Sequence, residues 1–375
     1  MLDNEIKIIA WHLPQYHVIK ENDEWWGENF TEWTNVKKAK PLYKNHNQPR
    51  IPLNNNYYNL LDKATMQWQY DLSQKYGIYG FCYYHYWFNG KLLLEKPVEN
   101  LLKWKDINQK FCFSWANQEW SRTWIGNNKQ ILIQQEYGQE KEWAQHFDYL
   151  LPFFQDERYI KIDGKPLFLI YKTNEIPNLN RFIDFFNERA INNNLQGIYI
   201  IETLNSYQLQ PFANKADGYV WFEPMASIAE IGQRRTIFTK IFSKIKNFIL
   251  KIFLKPIKVN SKKIINNIEH RPSNRFSSKK EYWSFFCDWD NSARKERKAF
   301  IVDGMDEQKF ELALKIAIEK SSEDIIFANA WNEWAEGTYL EPDTKNKYKY
   351  LEIIQKALQE KSKNFNSGKI DEHSI

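Results

Sequence analysis

Eight short runs rich in β-branched and aromatic residues recur along the 375-residue chain, and longer helix-like segments separate them. Short apolar strands that alternate with helices are the pattern of βα units around a parallel sheet. Eight such units favour a closed barrel over an open, doubly wound sheet. The predicted strands are Ile6–Ala10, Ile78–Tyr83, Lys110–Trp115, Pro166–Tyr171, Gly197–Glu202, Gly218–Phe222, Ser284–Asp288 and Ile325–Ala330.

The helices predicted between these strands are Asp62–Tyr76, Glu140–Phe154, Leu179–Asn194 and Asp306–Lys320, with a final one near Lys347–Glu360. We therefore expect an α/β chain folded as a (β/α)8 TIM-type barrel with elaborated loops and a basic helical insertion. No low-complexity linker divides the sequence. Residues 1–375 are accordingly expected to form one barrel domain, with the insertion at 228–270.

Polar and aromatic residues cluster directly after six of the predicted strands. In a (β/α)8 barrel the carboxyl ends of the strands carry the active site. Aromatic caps on a hydrophobic barrel would explain one or two such clusters but explain six poorly. Aromatic residues make up 17% of the chain, which also exceeds what an average core requires. The clusters span residues 11–17, 84–87, 116–120, 223–224, 289–291 and 331–336.

Two carboxyl groups follow the last predicted strand. Glycosidic-bond chemistry needs one carboxyl to exchange a proton with the bridging oxygen and another to support attack on the anomeric carbon. Glu333 and Glu336 are three residues apart, and Gly337 permits a bend that aims both into one cavity. Trp331 and Trp334 flank them and can raise a carboxyl pKa by excluding water. Because two glutamates at this spacing are common, a solvated acidic loop is the alternative.

Six longer segments carry a family resemblance: PQYHVIKENDEWWGENFTEWTNVKKAKPLYKNHNQP, YGFCYYHYWFNGKLLLEKP, WANQEW, DGKPLFLIY, WDNSAR and WNEWAEGTYLEPD. They resemble the WbsX family of bacterial glycosyltransferases, which is itself similar to glycoside hydrolase family 99, the endo-α-mannosidases. The resemblance covers nearly the whole chain. It implies a (β/α) barrel that acts on carbohydrate without a metal ion.

The resemblance also implies roles for the two acids. In the hydrolase relatives both acids of an Asn-Glu-Trp-x-Glu-Gly-Thr motif are catalytic, and the motif is present here as Asn332 to Thr338. Glu333 would assist a sugar 2-hydroxyl in attacking its own anomeric carbon, and Glu336 would act as general acid and then base. The chain departs from the family at Asn117-Gln118-Glu119-Trp120, where members often have Asn-Glu-Asn-Trp. The side chain that meets substrate in that loop is therefore open.

From these motifs we predict Glu333 and Glu336 as catalytic and a further set of substrate-binding residues. No cofactor is expected, and no metal site either, because His12, His17 and His85 lack compact ligand spacing. The predicted substrate-binding residues are Trp11, His12, Tyr16, Trp26, Trp33, Tyr84, His85, Trp87, Asn117, Trp120, Glu223, Asn291, Asn332 and Trp334.

Basic residues are concentrated in one segment. Residues 233–263 hold ten of the 52 lysines and arginines and no acid, so the rest of the chain has 42 basic against 47 acidic residues. This local excess argues against a nucleic-acid groove spread over the domain. At helical spacing the apolar residues of 237–253 fall on one side with lysines at their border. The residues predicted to contact an anionic membrane are Lys240, Lys244, Phe248, Lys251, Phe253 and Lys255; a helix packed on the barrel is the alternative.

The amino-terminal residues continue directly into a predicted strand and lack the pattern of a signal peptide, and no run of about 18 apolar residues is present. A cytoplasmic location is therefore expected, with any membrane contact at the inner face of the cytoplasmic membrane. The predicted partners are a carbohydrate and a lipid-linked acceptor.

We interpret the sequence as a retaining, metal-independent glycosyltransferase of bacterial surface polysaccharide (O-antigen or capsule) synthesis, a pathway that includes lipopolysaccharide assembly. Two alternatives stay open. One is an endo-acting glycoside hydrolase of the endo-α-mannosidase type, because the same acids serve water or a sugar hydroxyl as acceptor. The other is a carbohydrate-binding protein that has lost catalysis.

Overall fold

The computed structural model of the protein describes residues 6–122, 130–234 and 255–371. Its centre is a sheet of parallel strands, in the hydrogen-bonded order β7-β6-β5-β4-β3-β2-β1-β9-β8 once the strands are numbered along the chain. The strands are β1 (Lys7–His12), β2 (Ile78–Phe88), β3 (Lys110–Trp115), β4 (Lys165–Ile170), β5 (Tyr199–Leu204), β6 (Gly218–Trp221), β7 (Lys280–Tyr282), β8 (Ser284–Phe286) and β9 (Ile325–Asn329).

The two ends of this sheet are halves of one strand. Only Trp283 separates β7, which pairs with β6, from β8, which pairs with β9. The Trp283 carbonyl accepts a hydrogen bond from the Phe327 amide at 2.9 Å, so the ladder continues across the break. Counted in this way, eight strands close around the axis. The predicted (β/α)8 architecture is confirmed.

The first half of the seventh strand was not predicted. Its sequence, Lys280-Glu281-Tyr282, contains two charged residues, and a buried barrel strand usually has a continuous apolar run. Glu281 is nevertheless buried, because the Tyr219 hydroxyl and the Trp221 indole each donate to its Oε1 at 2.9 Å. A buried carboxylate with hydrogen-bond donors from the neighbouring strand therefore replaces an apolar side chain here.

Helices cover the outside of the barrel. In Glu140–Phe154, the buried residues Trp143, Phe147, Leu150 and Phe154 recur every three or four positions and face the sheet. The described helices are Lys20–Trp26, Glu32–Lys38, Lys63–Lys75, Lys96–Lys103, Glu140–Phe154, Leu179–Asn192, Met225–Gln233, Ser261–Glu269, Ser292–Lys295, Glu307–Lys320 and Lys349–Asp371.

Short elements shape the loops at the barrel mouth and on its sides. They are the strands Lys91–Leu93, Trp120–Arg122, Gln130–Ile133, Lys161–Ile162, Ile257–Asn260, Phe300–Asp303, Asn332–Glu333 and Thr338–Tyr339, and the 3-10 turns Leu53–Asn55, Thr173–Glu175, Glu296–Lys298 and Trp334–Glu336.

Parts of the predicted insertion at 228–270 belong to the described residues. Helices Met225–Gln233 and Ser261–Glu269 pack on each other, and Ile257–Asn260 pairs in parallel with Phe300–Asp303. The predicted membrane-contact residues Lys240, Lys244, Phe248, Lys251 and Phe253 lie outside the described residues, whereas Lys255 is described and exposed. In the described part of the chain, no helix has the length and apolar character needed to cross a bilayer.

Candidate active site

A cavity of about 460 Å³ opens at the carboxyl ends of the barrel strands. All eight strand ends contribute to its wall, five of them through residues of the polar and aromatic clusters found in the sequence. Its charged wall residues are Glu119, Lys172, Arg294, Lys295, Glu333 and Glu336. The aromatic wall residues are Trp26, Tyr84, Tyr86, Trp120, Tyr171, Tyr207, Phe222 and Trp289.

The segment after β9 brings both predicted acids into this cavity. Glu333 ends the two-residue strand that pairs antiparallel with Thr338–Tyr339, and Glu336 ends the 3-10 turn between these strands. Gly337 then adopts φ 67°, a left-handed conformation that a glycine takes without strain. The hairpin therefore turns two side chains that are three residues apart towards one space.

Arg294 connects the two acids to a third one. Its Nη2 donates to Glu333 Oε2 at 3.1 Å, its Nη1 donates to Glu336 Oε1, and its Nε donates to Glu32 Oε1 at 2.8 Å. Glu32 comes from the long loop after β1, and Arg294 comes from the helix after β8. One guanidinium thus joins loops from three strands around the cavity.

Burial and the charges of this cluster determine the pKa values of the Glu333 carboxyl and the Arg294 guanidinium. Burial, the largest cause, raises the pKa of Glu333 to about 8; Arg294 opposes this shift, whereas Glu336 and Glu32 add to it. For Arg294, burial lowers the pKa, but Glu32, Glu336 and Glu333 together bring it well above its ordinary value. The protonated form of Glu333 is therefore favoured at neutral pH, and the ionised form becomes populated as the pH rises towards about 8.

The backbone beside Glu333 is fixed by the loop after β1. The Leu13 amide donates to Asn332 Oδ1 at 2.7 Å, and the Tyr16 hydroxyl donates to the Asn332 carbonyl. The Trp334 amide donates to the Tyr16 oxygen at 3.3 Å. Both peptides that flank Glu333 are thus tied to residues more than 300 positions away.

The backbone of Glu336 is held from the other side. The Asp290 amide donates to the Glu336 carbonyl at 2.7 Å, and Arg50 Nη1 donates to the Gly337 carbonyl at 3.1 Å. His46 Nε2 lies 2.8 Å from Asp290 Oδ2, so the loop that carries Arg50 is itself fixed to the barrel. The Glu336 turn consequently has little freedom to move.

A buried polar cluster lies behind the hairpin. Glu341 accepts hydrogen bonds from Trp334 Nε1 at 2.7 Å, from Gln69 Nε2 at 2.7 Å and from the Tyr58 hydroxyl at 2.9 Å. Burial raises the pKa of Glu341 to about 7, and hydrogen bonds from Trp334, Gln69 and Tyr58 limit the rise. The Trp334 ring is thereby oriented against Tyr339, with ring centroids 3.8 Å apart.

Of the predicted substrate-binding residues, Trp26, Tyr84 and Trp120 line the cavity together with Glu333 and Glu336. The other predicted residues lie behind its described wall. His12 lies 3.1 Å from Gln69 in the polar cluster, Trp33 packs on Trp334, and Tyr16 and Asn332 hold the hairpin as described above.

The remaining predicted residues fix the loops and the core. Trp11 packs inside the barrel on Phe222 and Phe327, His85 lies 2.9 Å from His146, and Trp87 stacks on that same His146. Asn117 bonds both the amide and the carbonyl of Lys172. Glu223 lies 2.6 Å from Arg271, and Asn291 accepts a hydrogen bond from the Phe300 amide. Sugar contact by any of these residues stays a prediction.

Several wall residues were not singled out from the sequence. Arg294 is the last residue of the segment WDNSAR, so a signal was present, but the sequence does not reveal which acids it meets. Gln15 and Tyr86 lie within the clusters at residues 11–17 and 84–87, but neither is among the predicted substrate-binding residues. Lys172 and Tyr207 follow β4 and β5, the two strands after which the sequence has no predicted polar and aromatic cluster.

Within the described ranges, His, Cys, Asp and Glu side chains form no group of three or more that is arranged to hold a metal ion. The cavity residues Glu333 and Glu336 and the buried Glu32 surround Arg294.

Closed (β/α)8 barrels that carry two carboxyl groups in an aromatic-lined cavity at the carboxyl ends of their strands are common among carbohydrate-active enzymes. The family described as Glycosyltransferase WbsX matches residues 8–354, and the chain belongs to this family. The protein WxcX of Xanthomonas campestris pv. campestris (strain B100) is 30% identical over 358 residues, which cover 94% of this chain and 49% of that protein. A second strain has a WxcX with the same identity and coverage. The chain thus spans about half the length of these curated relatives.

Solved structures share the fold at low identity. The GH99 endo-alpha-mannosidase from Bacteroides thetaiotaomicron is 14% identical with a TM-score of 0.57, covering 98% of this chain and 100% of that one. A glycoside hydrolase-like protein is 13% identical with a TM-score of 0.60, covering 96% of this chain and 95% of that one. At this level of identity the likeness concerns the fold alone.

Proposed function

We propose that this chain is a retaining glycosyltransferase that needs no metal ion and that helps to build a bacterial surface polysaccharide such as an O-antigen or capsule. The observation that carries the proposal is the meeting of Glu333 and Glu336 at one guanidinium in an aromatic-lined cavity. Two carboxyl groups that flank one sugar carbon are the usual catalytic groups of enzymes that break or form glycosidic bonds. Membership of the WbsX family supports the transferase reading.

The proposed chemistry has two steps. In the first step ionised Glu333 takes the proton of the donor's 2-hydroxyl, and the 2-oxygen bonds to the anomeric carbon. The bond from that carbon to the leaving oxygen breaks as protonated Glu336 gives its proton to the leaving oxygen. In the second step the acceptor hydroxyl gives its proton to Glu336 and attacks that carbon, while the 2-oxygen recovers its proton from Glu333. Each step inverts the anomeric carbon, so the overall result is retention.

The wall of the cavity suits a sugar. Trp26, Trp120 and Tyr171 offer ring faces on which the apolar face of a pyranose can stack. The indole nitrogen of Trp289 is buried and lacks a hydrogen-bond acceptor among the described residues. This nitrogen is enclosed and not exposed to the cavity, so the ring faces of the wall carry the argument for a sugar.

Metal independence rests on the charge arrangement of the same site. Arg294 already provides a cation to Glu32, Glu333 and Glu336, and a divalent ion bound by the same oxygens would have to displace it. We expect turnover to be unchanged after dialysis against EDTA. Loss of turnover that Mg²⁺ or Mn²⁺ restores would contradict this part of the proposal.

A glycoside hydrolase is the second candidate, and the fold shared with the GH99 endo-alpha-mannosidase favours it. Water in place of the acceptor would use the same two acids. Product analysis with and without an added sugar acceptor separates the candidates. A glycosylated acceptor supports the transferase, whereas free sugar or polymer cleavage under every donor tested supports the hydrolase.

The catalytic assignment is tested with Glu333→Gln and Glu336→Gln. Each change keeps the shape of the side chain but removes proton exchange, so we expect turnover to fall at least about 100-fold. Carbohydrate binding, measured by thermal shift, should persist. Glu28→Gln, an exposed change in the loop after β1, is the matched control and should behave like the parent. Near-normal turnover in either cavity variant would remove that residue from the mechanism.

The lipid-linked acceptor and the membrane contact remain part of the proposal. Lysines that border an apolar helical face attract anionic lipid by about 1 kcal/mol each near the surface. We expect the protein to cosediment with phosphatidylglycerol-containing vesicles, and less so at high salt.

The variants for this test reverse four charges. Replacing Lys240, Lys244, Lys251 and Lys255 by Glu should release the protein from vesicles and leave turnover of a soluble acceptor intact. The control set reverses four exposed lysines elsewhere, which are Lys38, Lys141, Lys161 and Lys345. If both sets of Lys-to-Glu variants sediment with the vesicles to the same extent, the result would favour the alternative in which this basic segment packs on the barrel.

A further inference from the structure

Arg294 and Glu32 are unusual members of the site because the sequence gives them no chemical role. Glu32 is fully buried, and only 11% of the Arg294 side chain is exposed. Glu32 Oε1 accepts from Arg294 Nε at 2.8 Å and from Asn35 Nδ2 at 3.2 Å. The Glu32 carboxylate therefore fixes the guanidinium from the side away from the two cavity acids.

We infer that Arg294, held in place by Glu32, is the positioning residue that sets the orientation of Glu333 and Glu336 for glycosyl transfer. The inference rests on the proposed function, because it names what supports the two acids in that reaction. Arg294 and Glu32 act through Glu333 and Glu336, and neither of them transfers the proton.

The geometry of a guanidinium carries this inference. Its nitrogens lie in one plane at fixed angles, so three hydrogen bonds from Nε, Nη1 and Nη2 fix three carboxylates relative to one another. Each cavity acid uses one oxygen for Arg294, Oε2 for Glu333 and Oε1 for Glu336, and its second oxygen is the one available for a sugar. A lysine in this place could not hold the same three groups, because an ammonium is a point charge without a planar fork.

The charge of Arg294 has a second effect on the same groups. Three carboxyl groups that approach one another in a buried site repel once ionised, and one guanidinium offsets part of that repulsion. Arg294 lowers the pKa of Glu333 against the effect of burial. Without it the Glu333 proton would be held more tightly. Two substitutions separate the geometric effect of Arg294 from the effect of its charge. Arg294→Lys keeps the charge but loses the planar fork, whereas Arg294→Gln removes both the charge and the fork.

The experiment measures the Glu333 carboxyl in the full chain without any substrate. Protein labelled with [δ-¹³C]glutamate is titrated by NMR, and the Glu333 signal is assigned as the one absent from Glu333→Gln. Arg294→Gln should move the Glu333 titration to higher pH, and Arg294→Lys should move it much less. Arg297→Gln is the control, because Arg297 is exposed and lies in the 3-10 turn Glu296–Lys298, which follows the helix of Arg294.

Turnover provides the geometric readout. Arg294→Lys and Glu32→Ala should each lower kcat by about 100-fold with a small change in KM, the size that a misplaced catalytic group produces. Glu32→Gln keeps an acceptor for Nε and should lose less than Glu32→Ala, and Glu28→Ala should lose nothing. In Arg294→Ala, guanidinium chloride below denaturing concentration should recover part of the lost kcat.

Two results would overturn the inference. One is a Glu333 titration in Arg294→Gln that matches the parent, and the other is parental kcat in Arg294→Lys. If the parent turns over no donor, the proposed function fails, but the titration still decides the role of Arg294. If the titration is unchanged while Glu333→Gln still abolishes turnover, the proposed function stands and the positioning role falls.

Discussion

The proton on Glu333 links the chemistry of one residue to the stability of the folded chain. Its pKa of about 8 in the folded protein exceeds the ordinary value of 4.5, so the folded state binds this proton more tightly than the unfolded state does. The resulting stabilisation is fully present below about pH 4.5 and is lost as the pH rises through about 8.

Glu333→Gln should remove this pH dependence. We expect the variant to melt at a higher temperature than the parent at pH 9, with a difference on the order of a few kcal/mol in unfolding free energy that shrinks towards pH 5. Thermal melts across this range measure it. Glu341 titrates in both proteins, so its contribution cancels in the comparison. Melting curves whose difference is constant with pH would show that Glu333 ionises normally.

The pH dependence of turnover tests the role assigned to Glu333. A general base must be ionised, so kcat/KM should rise as the pH increases towards about 8. If Glu333 instead donates a proton, kcat/KM should fall over the same range. The profile of the parent enzyme, compared with that of Arg294→Gln, distinguishes the two roles.

At the residue scale the sequence predicted that Glu333 and Glu336 share one cavity, but it did not predict which residues surround them. Glu333 and Glu336 lie in a compact motif, and a bend at Gly337 suffices to bring them together. The contact between Glu32 and Arg294 spans 262 positions, and no local pattern encodes it. Aromatic and polar residues such as Trp11 and Asn332 were predicted from the same motifs, yet they lie behind the wall because a motif does not reveal which side of a loop faces a cavity.

At the scale of single elements, the hairpin after β9 depends on the conformation of Gly337. A Cβ added there would lie 2.9 Å from Arg50 Nη2 and from the Asp290 amide nitrogen, and φ is 67°. We expect Gly337→Ala to destabilise the protein by about 1–3 kcal/mol and to lower turnover, because the Glu336 turn must shift. Denaturant unfolding and kcat measure the two effects.

Gly232 provides the matched control for that substitution. It lies in helix Met225–Gln233, and a Cβ there would meet no described atom within 4 Å beyond the neighbouring backbone of its own helix. Alanine should therefore stabilise the protein by about 0.5–1 kcal/mol and leave turnover unchanged. Equal effects of the two glycine substitutions would argue against a special role for the hairpin.

Elements with a clear period were predictable and irregular ones were not. The helix Glu140–Phe154 has the predicted ends, since its apolar residues recur at helical spacing between a capping box and a loop. The strand Lys280–Tyr282 was missed because the buried Glu281 depends on donors from a strand about 60 residues earlier. Tertiary hydrogen bonds of this kind leave no trace in a local pattern.

At the scale of the whole molecule, Arg271 ties the connection after β6 to the barrel wall. Its buried guanidinium lies 2.6 Å from Glu223 and 2.8 Å from Glu230. Arg271→Met would leave two buried carboxylates without this charge and should cost about 3–5 kcal/mol in unfolding free energy. Arg275→Met is the control, because Arg275 is 42% exposed and its loss should cost at most about 1 kcal/mol. Denaturant unfolding that gives both variants the same stability would contradict this account.

During protein synthesis, the active site can form only after the barrel has closed. β1 and the loop that holds Glu32 are made long before β9, yet the Leu13 amide bonds to Asn332, 319 positions away. Until that late segment leaves the ribosome, the edge of β1 that later pairs with β9 is unpaired, and such edges attract other strands. The nascent chain therefore exposes this strand edge until β9 has been made. A saccharide that fits the cavity binds only after closure, so it should improve the yield of refolded protein without assisting the unfinished chain.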